Sequence, residues 1–459
     1  MFDFIFRRQF DVLRSGVFVV GTQVFFFGSS CVPAEERSDA GENATRDAGG
    51  GLPPLPTTPL DVRVGELSIL QLHLSPGLTL RMGESAIVVG PDGTMVLIDV
   101  GASRHADEIF DVVTALNRDV LTPANGFVAR SEREVDFMVF THFHGDHVGG
   151  AEDLLSGSLA LDVTHGIVHR GFTDLGGSVN ENDVKFLCNT LTSGEFAARN
   201  LALCFADPAA PCAASSWETA TSPAYPTQSC ALLAGDLRTT SDDAAGVPSF
   251  IPLGEGAKLV FLASSSHVSD GQSIHPFPDV MPVVDTNHEN ARSLVGVIEY
   301  GAFRYHFGGD LTGKGAEEAP DVESHVVQYA HDRHGDDGIG VTHVHHHAHN
   351  TSSNQYFVDW VTPIDGKDRN VVAGLNSGYM GAPKAGEVER FTDDNRLAEG
   401  KFWVTKWARV GSAGETVVDA DGDVLVQTFS QGEGHFLQAV SQVPPICGRF
   451  RSVRTSSSR

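Results

Sequence analysis

Metal-ligand side chains are concentrated in one short stretch, 141-THFHGDHVGG-150, where His142, His144, Asp146 and His147 fall within six positions. Neutral imidazole and carboxylate groups suit zinc, manganese or iron. His142 and His144 are two residues apart on an extended strand end, so their side chains can point to the same side. Asp146 and His147 follow the bend at Gly145 and can turn toward a second position. The stretch therefore predicts ligands for two adjacent metal ions.

The elements around this stretch can hold it rigidly. The run 136-DFMVFT-141 predicts a buried strand that leads directly into the ligands, and 151-AEDLL-155 predicts the start of a helix. The segments 85–90 and 95–101 predict a hairpin across a Pro-Asp-Gly turn. Further strand-like runs follow at 258–263, 293–301, 303–310, 371–376, 402–407 and 423–429. This order predicts an α/β domain with two β-rich halves.

A buried strand followed by HxHxDH and two glycines resembles the signature of the metallo-β-lactamase fold superfamily. The segment 96-VLIDVG-101 looks like its first motif, which implies that Asp99 supports the metal loop from behind. The segment 307-FGGDL-311 resembles its glycine–aspartate motif and implies that Asp310 bridges the metals. The run 345-HHHAHNTSS-353 implies one further ligand, His346 or His347. The resemblance implies an αββα four-layer sandwich.

The order of the motifs between residues 67 and 430 is similar to the extracytoplasmic domain of the competence DNA-uptake channel family (ComEC-like). His144 departs from the aspartate often found in that branch. Ala348 and His349 replace a glycine–serine pair, and Ala382 replaces a histidine. The third ligand of the first metal site has no clear match, and His288 is the nearest candidate.

The activity that this resemblance implies is hydrolysis by a metal-bound hydroxide at a pair of divalent ions, zinc first and manganese or iron as alternatives. Asp146 and Asp310 would be its catalytic carboxylates. A phosphodiester is the first expectation for the substrate, because Ser352 and Ser353 could meet phosphate oxygens. They could equally cap the helix predicted over 355–361. The alternatives are a hydrolase of a small ester, lactone or amide, and a non-catalytic surface metal-binding protein.

Acidic residues outnumber basic ones by 59 to 32, which gives a net charge of -27. Such a surface repels phosphate backbones at long range. We therefore expect no stable nucleic-acid complex, and a substrate that is a small molecule or a phosphodiester. The sequence leaves the oligomeric state open.

Residues 1–31 resemble a bacterial export signal, since Arg7 and Arg8 precede an apolar run that ends in small residues before Cys31. Cys31 is then the expected lipidation site and the only expected link to a membrane, in the periplasm or at the cell surface. A buried apolar helix is the alternative. Residues 32–62 predict a disordered tether. The domain is expected over 63–435, followed by a tail at 436–459.

A segment at about 172–250 is polar and predicts an insertion in the domain. It contains Cys188, Cys204, Cys212 and Cys230. In an oxidising compartment these cysteines predict two disulfides with unassigned pairing. A metal site is the alternative, although none of the spacings is CxxC.

Overall fold

The structure of this protein is a computed structural model. It describes residues 62–74, 83–172, 179–192, 196, 199–202, 250–265, 267–269, 274–276, 286–313, 319–334, 338–364, 369–374, 383–393, 396–398, 400–405, 417–420, 422–440 and 447–451. The predicted export signal, Cys31 and almost all of the predicted tether lie outside these residues. Export, lipidation and the tether therefore stay predictions.

Strands and mostly short helices alternate along the described residues. The strands are β1 Ser68–Gln71, β2 Ala86–Val89, β3 Met95–Ile98, β4 Glu134–Phe140, β5 Asp162–His169, β6 Asn200–Ala202, β7 Phe250–Pro252, β8 Lys258–Ser264, β9 His267–Ser269, β10 Ile274–Pro276, β11 Val295–Tyr300, β12 Phe303–Phe307, β13 Val341–His343, β14 Asn370–Ala373, β15 Phe402–Val404, β16 Val417–Asp419, β17 Val424–Phe429, β18 Gly434–Ala439 and β19 Cys447–Arg451. The α-helices are α1 Ala106–Ala115, α2 Gly145–Val148, α3 Ala151–Leu155, α4 Glu181–Thr192, α5 Thr286–Asn290, α6 Glu323–His334, α7 Gln355–Val361 and α8 Ala385–Thr392.

Two mixed sheets contain these strands. The first has the order β19-β18-β17-β1-β2-β3-β4-β5-β6, and β3 to β6 are parallel. The second has the order β10-β9-β8-β11-β12-β13-β14-β15-β16, with β7 also paired to β8. Strands β12 to β16 are parallel. Each sheet therefore has an antiparallel part and a parallel part, and the predicted hairpin of β2 and β3 is confirmed.

Three apolar clusters separate four layers. One joins α1, α3 and α4 to the first sheet, the second lies between the two sheets, and the third joins the second sheet to α6, α7 and α8. Strand β4 contributes side chains to two of these clusters. Met138 and Phe140 face the helices, while Phe137 and Val139 face the other sheet. A strand buried on both faces explains its nearly continuous apolar sequence. The αββα four-layer sandwich is confirmed.

The expected tail at 436–459 is wrong for residues up to Arg451. Strand β18 pairs with β17, and β19 pairs with β18 at the edge of the first sheet. All six residues of 434-GHFLQA-439 are buried, and Phe436 pairs with Gln427 of the antiparallel strand β17. The boundary at 435 therefore fell inside a strand.

The predicted insertion begins too early. Residues 181–192 form α4, whose Leu187 and Leu191 belong to the core below the first sheet, and β6 extends that sheet. Cys188 is buried in the same core. Cys204, Cys212 and Cys230 lie outside the described residues, so the two disulfides stay a prediction.

Among the helices in the described ranges, none is both long enough and apolar enough to cross a membrane.

Candidate metal centre

The predicted ligands follow the carboxyl ends of four strands. Asp99 follows β3, and the stretch from Thr141 to His147 follows its parallel neighbour β4. Asp310 follows β12, and the histidine run at 345–347 follows its parallel neighbour β13. Carboxyl ends of parallel strands are the usual place for ligands in α/β folds. The two sheets thus bring residues that are about 200 positions apart to one edge of the sandwich.

The segment from Thr141 to His147, called the metal loop below, divides into two parts. His142 and His144 lie on extended backbone, and His142 Nε2 is 3.2 Å from His144 Nδ1. His144 is also the N-cap residue of the short helix α2, which contains Asp146 and His147. Across this change from extended to helical backbone, the ring centroids of His142 and His147 lie 4.1 Å apart.

Asp99 holds the loop from behind. Its Oδ1 accepts a hydrogen bond from Thr141 N at 2.8 Å, and its Oδ2 accepts one from Thr141 Oγ1 at 2.7 Å. The same Oδ2 lies 2.8 Å from His147 Nδ1. Asp99 has a φ of 54°, which is unusual for a residue with a side chain. The carboxylate therefore fixes the ring of His147 with Nε2 turned toward Asp310.

Asp310 lies where the two halves of the molecule meet. It is 2% exposed and follows Gly309, whose φ is 52°. A Cβ on Gly309 would approach Thr141 Oγ1 to 2.5 Å, so a side chain at this position would push the two halves apart. His346 N donates a hydrogen bond to Gly309 O at 3.1 Å. The glycine thus lets the Asp310 turn touch both the metal loop and the histidine run.

The histidine run is a left-handed segment. His346 and His347 have φ values of 50° and 51°, and Ala348 has a φ of 58°. His345 is fully buried behind them, with Nδ1 2.6 Å from Glu323 Oε1. Glu323 also accepts hydrogen bonds from backbone N–H groups of Ser353 and Asn354. His345 is thus a structural residue, while His346 and His347 face Asp310.

Sequence analysis missed Glu84. Its Oε2 lies 3.2 Å from His347 Nδ1, and its Oε1 lies 2.5 Å from His343 Nε2. Its backbone N–H donates to Asp146 O at 3.0 Å. The carboxyl group of Glu84 therefore lies beside His347 Nδ1, whose hydrogen-bond partner is the backbone oxygen of Gly374 at 3.3 Å. The only sequence signal was an acidic residue just before β2, and nothing in it indicated a partner some 260 positions later.

A second missed feature is the fully buried ion pair of Arg170 and Glu289. Arg170 Nε donates to Glu289 Oε1 at 2.8 Å, and Arg170 NH2 lies 2.5 Å from Oε2. Glu289 Oε1 also accepts a hydrogen bond from Phe143 N, inside the metal loop, at 2.9 Å. The pair joins the end of β5 to helix α5 directly behind the loop.

Proton affinities across the site differ strongly. Burial opposes a charge on His147, but the carboxylates of Asp310 and Asp99 outweigh it and raise the pKa of His147 well above its usual value. Burial also opposes charge on His347, yet Asp310 and Asp146 raise its pKa to about 9. Burial lowers the pKa of His144 to about 4. Cations bind neutral imidazole, so an ion at His147 and His347 would displace their protons.

The donor atoms fit divalent cations. Glu84, His147, Asp310 and His347 offer ligand atoms within 4.8 Å of one another, and His142, His144 and Asp310 offer a second such group. Buried His144 Nε2, His147 Nε2, His347 Nε2 and Asp310 Oδ1 have no hydrogen-bond partner within the described residues. Unpartnered buried polar atoms are costly unless an ion or water meets them. Both groups share Asp310.

Two expectations about nearby residues are not supported. His288 has its Nδ1 3.1 Å from the cationic Arg292 NH1, and no contact joins it to Asp310 among the ion pairs of the described residues, whereas His346 lies 3.7 Å from Asp310. Ser352 and Ser353 are fully buried, and Ser352 Oγ donates to Leu311 O. The N-cap of α7 is Asn354, whose side chain accepts from Phe357 N at 2.8 Å. Neither serine lines the site or caps the helix.

Comparison with known proteins supports the superfamily at the motif-bearing part of the chain. Residues 80–187 match the family model of the metallo-beta-lactamase superfamily. A lactamase-like protein, adaB, from Aspergillus niger is 29% identical over 132 residues, which are 29% of this chain. The chain spans 37% of the length of that curated relative.

Solved structures match this chain only at low similarity. One is a putative metal-dependent hydrolase from Parabacteroides distasonis, with 13% identity and a TM-score of 0.28 over 69% of this chain and 92% of that chain. Another is yeast PDE1, with 8% identity and a TM-score of 0.32 over 76% of this chain and 90% of that chain. Scores this low carry no argument about activity. The ComEC-like resemblance is not supported by these comparisons and stays a prediction.

Proposed function

We propose that this protein is a dinuclear metal-dependent hydrolase and that its substrate is a small phosphodiester. The observation that carries the proposal is the position of Asp310, which is shared by two groups of ligand atoms. Such a shared carboxylate suits two adjacent cations, an arrangement used by phosphatases and nucleases. Zinc is the ion we propose first, because each group offers two imidazoles.

Two divalent ions in this position would supply an activated water and positive charge for the oxygen that becomes negative. The protein residues hold and orient this centre. Asp99 keeps the ring of His147 in a fixed orientation through Nδ1, and the backbone oxygen of Gly374, with the Glu84 carboxylate beside it, does the same for His347. Asp146 is the accessible carboxylate, with a side chain that is 34% exposed. Asp146 is therefore the group we propose to orient the attacking water and accept its proton.

A small substrate is favoured over a polymer by the charge of the whole chain. With a net charge of -27, the surface repels a long polyanion over many phosphates. A single phosphodiester group meets that repulsion only once and can be stabilised locally by the cations. We therefore propose a phosphodiesterase of small molecules and not a nuclease of long DNA.

The test uses the protein loaded with zinc and three substrates: bis(p-nitrophenyl) phosphate, p-nitrophenyl acetate, and labelled single- and double-stranded DNA. We expect chelator-sensitive turnover of the phosphodiester that falls at least about 100-fold in Asp310→Ala. Asp107→Ala is the matched control, because Asp107 is exposed on α1 and belongs to neither group of ligand atoms. Full turnover by Asp310→Ala, or turnover that survives chelation, would contradict the proposal.

A second candidate is a hydrolase of a small ester, lactone or amide with the same metal centre. The observation in its favour is the burial of Ser352 and Ser353, which removes the hydroxyl groups that sequence analysis offered for phosphate oxygens. Preferential turnover of p-nitrophenyl acetate in the same assay would favour this candidate.

A further inference from the structure

The two carboxylate oxygens of Asp310 face different pairs of histidines. Oδ2 lies 3.6 Å from His142 Nε2 and 3.7 Å from His346 Nε2. Oδ1 lies 3.2 Å from His147 Nε2 and 3.8 Å from His347 Nε2. Each side of the carboxylate is thus approached by one histidine of the metal loop and one histidine of the run after β13.

The left-handed backbone explains how two consecutive residues reach opposite sides. His346 and His347 both have positive φ, and their ring centroids are 6.4 Å apart with planes inclined by 54°. Residues with side chains adopt this conformation only at an energetic cost. Such strain persists only where surrounding contacts enforce it, and it is frequent at ligand-binding positions. An extended or right-handed segment would avoid the cost.

Each of the two rings is also held from its far side. Thr351 Oγ1 lies 2.5 Å from His346 Nδ1, and Glu84 Oε2 lies 3.2 Å from His347 Nδ1. Both contacts leave Nε2 directed at Asp310. An oxygen partner at Nδ1 is what fixes a metal-binding histidine in its ring orientation. Nδ1 of His346 thus lies beside a hydroxyl oxygen, and Nδ1 of His347 lies beside a carboxylate oxygen.

The neighbourhood of His346 includes one further polar group. Asn290 is fully buried at the end of α5, and its Nδ2 lies 3.4 Å from His346 Nε2. Its Oδ1 has no hydrogen-bond partner within the described residues. Helix α5 therefore presents Asn290 to this side of the site, where sequence analysis had expected His288 from the same helix.

We propose that His346 and His347 bind different cations, with Asp310 between them. His346 completes the first site with His142, His144 and Asp310, and His347 completes the second site with Asp146, His147 and Asp310. This inference rests on the proposed pair of cations. It replaces the expectation that only one of the two histidines is a ligand, and it assigns the missing ligand of the first site.

The test counts zinc ions bound to the full-length protein at fixed free zinc, and measures each dissociation constant by competition with a chromophoric chelator. His346→Gly and His347→Gly are combined with His142→Ala, which disables the first site, and with His147→Ala, which disables the second. We expect His346→Gly to change zinc binding less than threefold in the His142→Ala background. In the His147→Ala background it should weaken the remaining ion at least about 10-fold. His347→Gly should show the opposite pattern.

Glycine separates a ligand role from a structural role. At a φ of 50° or 51°, replacing histidine with glycine relieves backbone strain. We therefore expect the zinc-free His346→Gly variant to unfold at the same temperature as the parent or higher, while it loses zinc. If the histidine were needed only for folding, its replacement would lower both the unfolding temperature and the zinc affinity. His349→Ala is the matched control, because its ring packs 5.0 Å from that of His346 but makes no contact with Asp310 closer than 4 Å within the described contacts.

The outcomes separate the two proposals. If the parent protein binds fewer than two zinc ions, the pair of cations and this inference both fail. If the parent binds two ions but both glycine variants weaken the same ion, or His346→Gly weakens neither, only the split of the two histidines is overturned.

Discussion

Four histidines at the site have an oxygen atom of another residue beside Nδ1. The partners are Thr141 for His142, Asp99 for His147, Thr351 for His346, and Gly374 together with the nearby carboxylate of Glu84 for His347. In each case Nε2 is the nitrogen that lies near Asp310. A ring held at one nitrogen cannot rotate to offer the other, so its ligand geometry exists before an ion arrives.

The Glu84 carboxylate gives a test at the scale of one residue. Glu84→Gln keeps the size of the side chain but removes the negative charge beside His347 Nδ1. We expect the affinity of one zinc ion to fall about 10-fold, within the usual range for an outer partner of a ligand. Competition with a chromophoric chelator measures it. Glu132→Gln, at an exposed position, is the control and should bind zinc as the parent does. Equal affinities for both variants would show that Glu84 does not orient His347.

Local motifs made part of the site predictable. The ligands between positions 142 and 147 and their support by Asp99 could be proposed because their spacing is short and typical. Glu84 and Thr351 could not, because each acts through a contact that only the folded chain creates. The uncertain choice between His346 and His347 had the same origin, since sequence does not reveal a left-handed backbone at non-glycine residues.

At the scale of elements, the buried pair of Arg170 and Glu289 joins the end of β5 in the first sheet to α5 next to the second sheet. Both side chains are fully buried. A buried ion pair gives little net stability, but losing one partner leaves an uncompensated charge. Since Glu289 also accepts from Phe143 N, the pair fixes the metal loop against both sheets.

Removing the positive charge of Arg170 alone should therefore destabilise the fold more than removing the charges of both Arg170 and Glu289. We expect Arg170→Met to lower the free energy of unfolding by about 3–5 kcal/mol, and Arg170→Met with Glu289→Gln to lower it less. Denaturant unfolding of the zinc-free proteins measures both. A double variant that loses as much stability as Arg170→Met, or more, would contradict the ion-pair argument.

The same pair has a defined pH dependence. Burial opposes the charged form of Glu289, but Arg170 outweighs it and holds the pKa below the ordinary 4.5. Its stabilisation is therefore complete above about pH 4.5 and is lost as the pH falls below that value. The Arg170→Met and Glu289→Gln double variant should lack this part of the acid sensitivity.

Strand positions near the site were predictable because alternation and turn residues mark them locally. The wrong assignments concern elements whose partners in the fold are far away in the sequence. Strand β18 was assigned to a tail because its partner β17 and the sheet beyond are not visible in a short window. Helix α4 was assigned to an insertion because its polar exposed face resembles the surrounding segment, although Leu187 and Leu191 are fully buried.

At the scale of the whole molecule, the candidate centre takes ligands from both sheets. The loop after β4 belongs to the first sheet, while Asp310 and the histidine run belong to the second. Cations bound there would connect the two halves in the folded state and not in the unfolded chain. Binding must then stabilise the fold by linkage.

We expect zinc to raise the free energy of unfolding by about 2.7 kcal/mol per site at a free concentration 100 times its dissociation constant. Chelator should reverse the effect. Denaturant titration at fixed free zinc measures it, with Asp310→Ala losing most of the gain and Asp107→Ala retaining it. A gain that is equal in parent and Asp310→Ala would place the stabilising ions elsewhere.

The position of β17 beside β1 has a consequence for how the chain is made. Ser68 pairs with Gln427, so the first strand of the domain must wait for one of the last. On the ribosome, the early strands can assemble only part of their sheet and keep an open edge while more than 300 further residues are synthesised. Contacts this distant slow folding. The nascent first half is therefore the stage at which chaperone protection matters most for this protein.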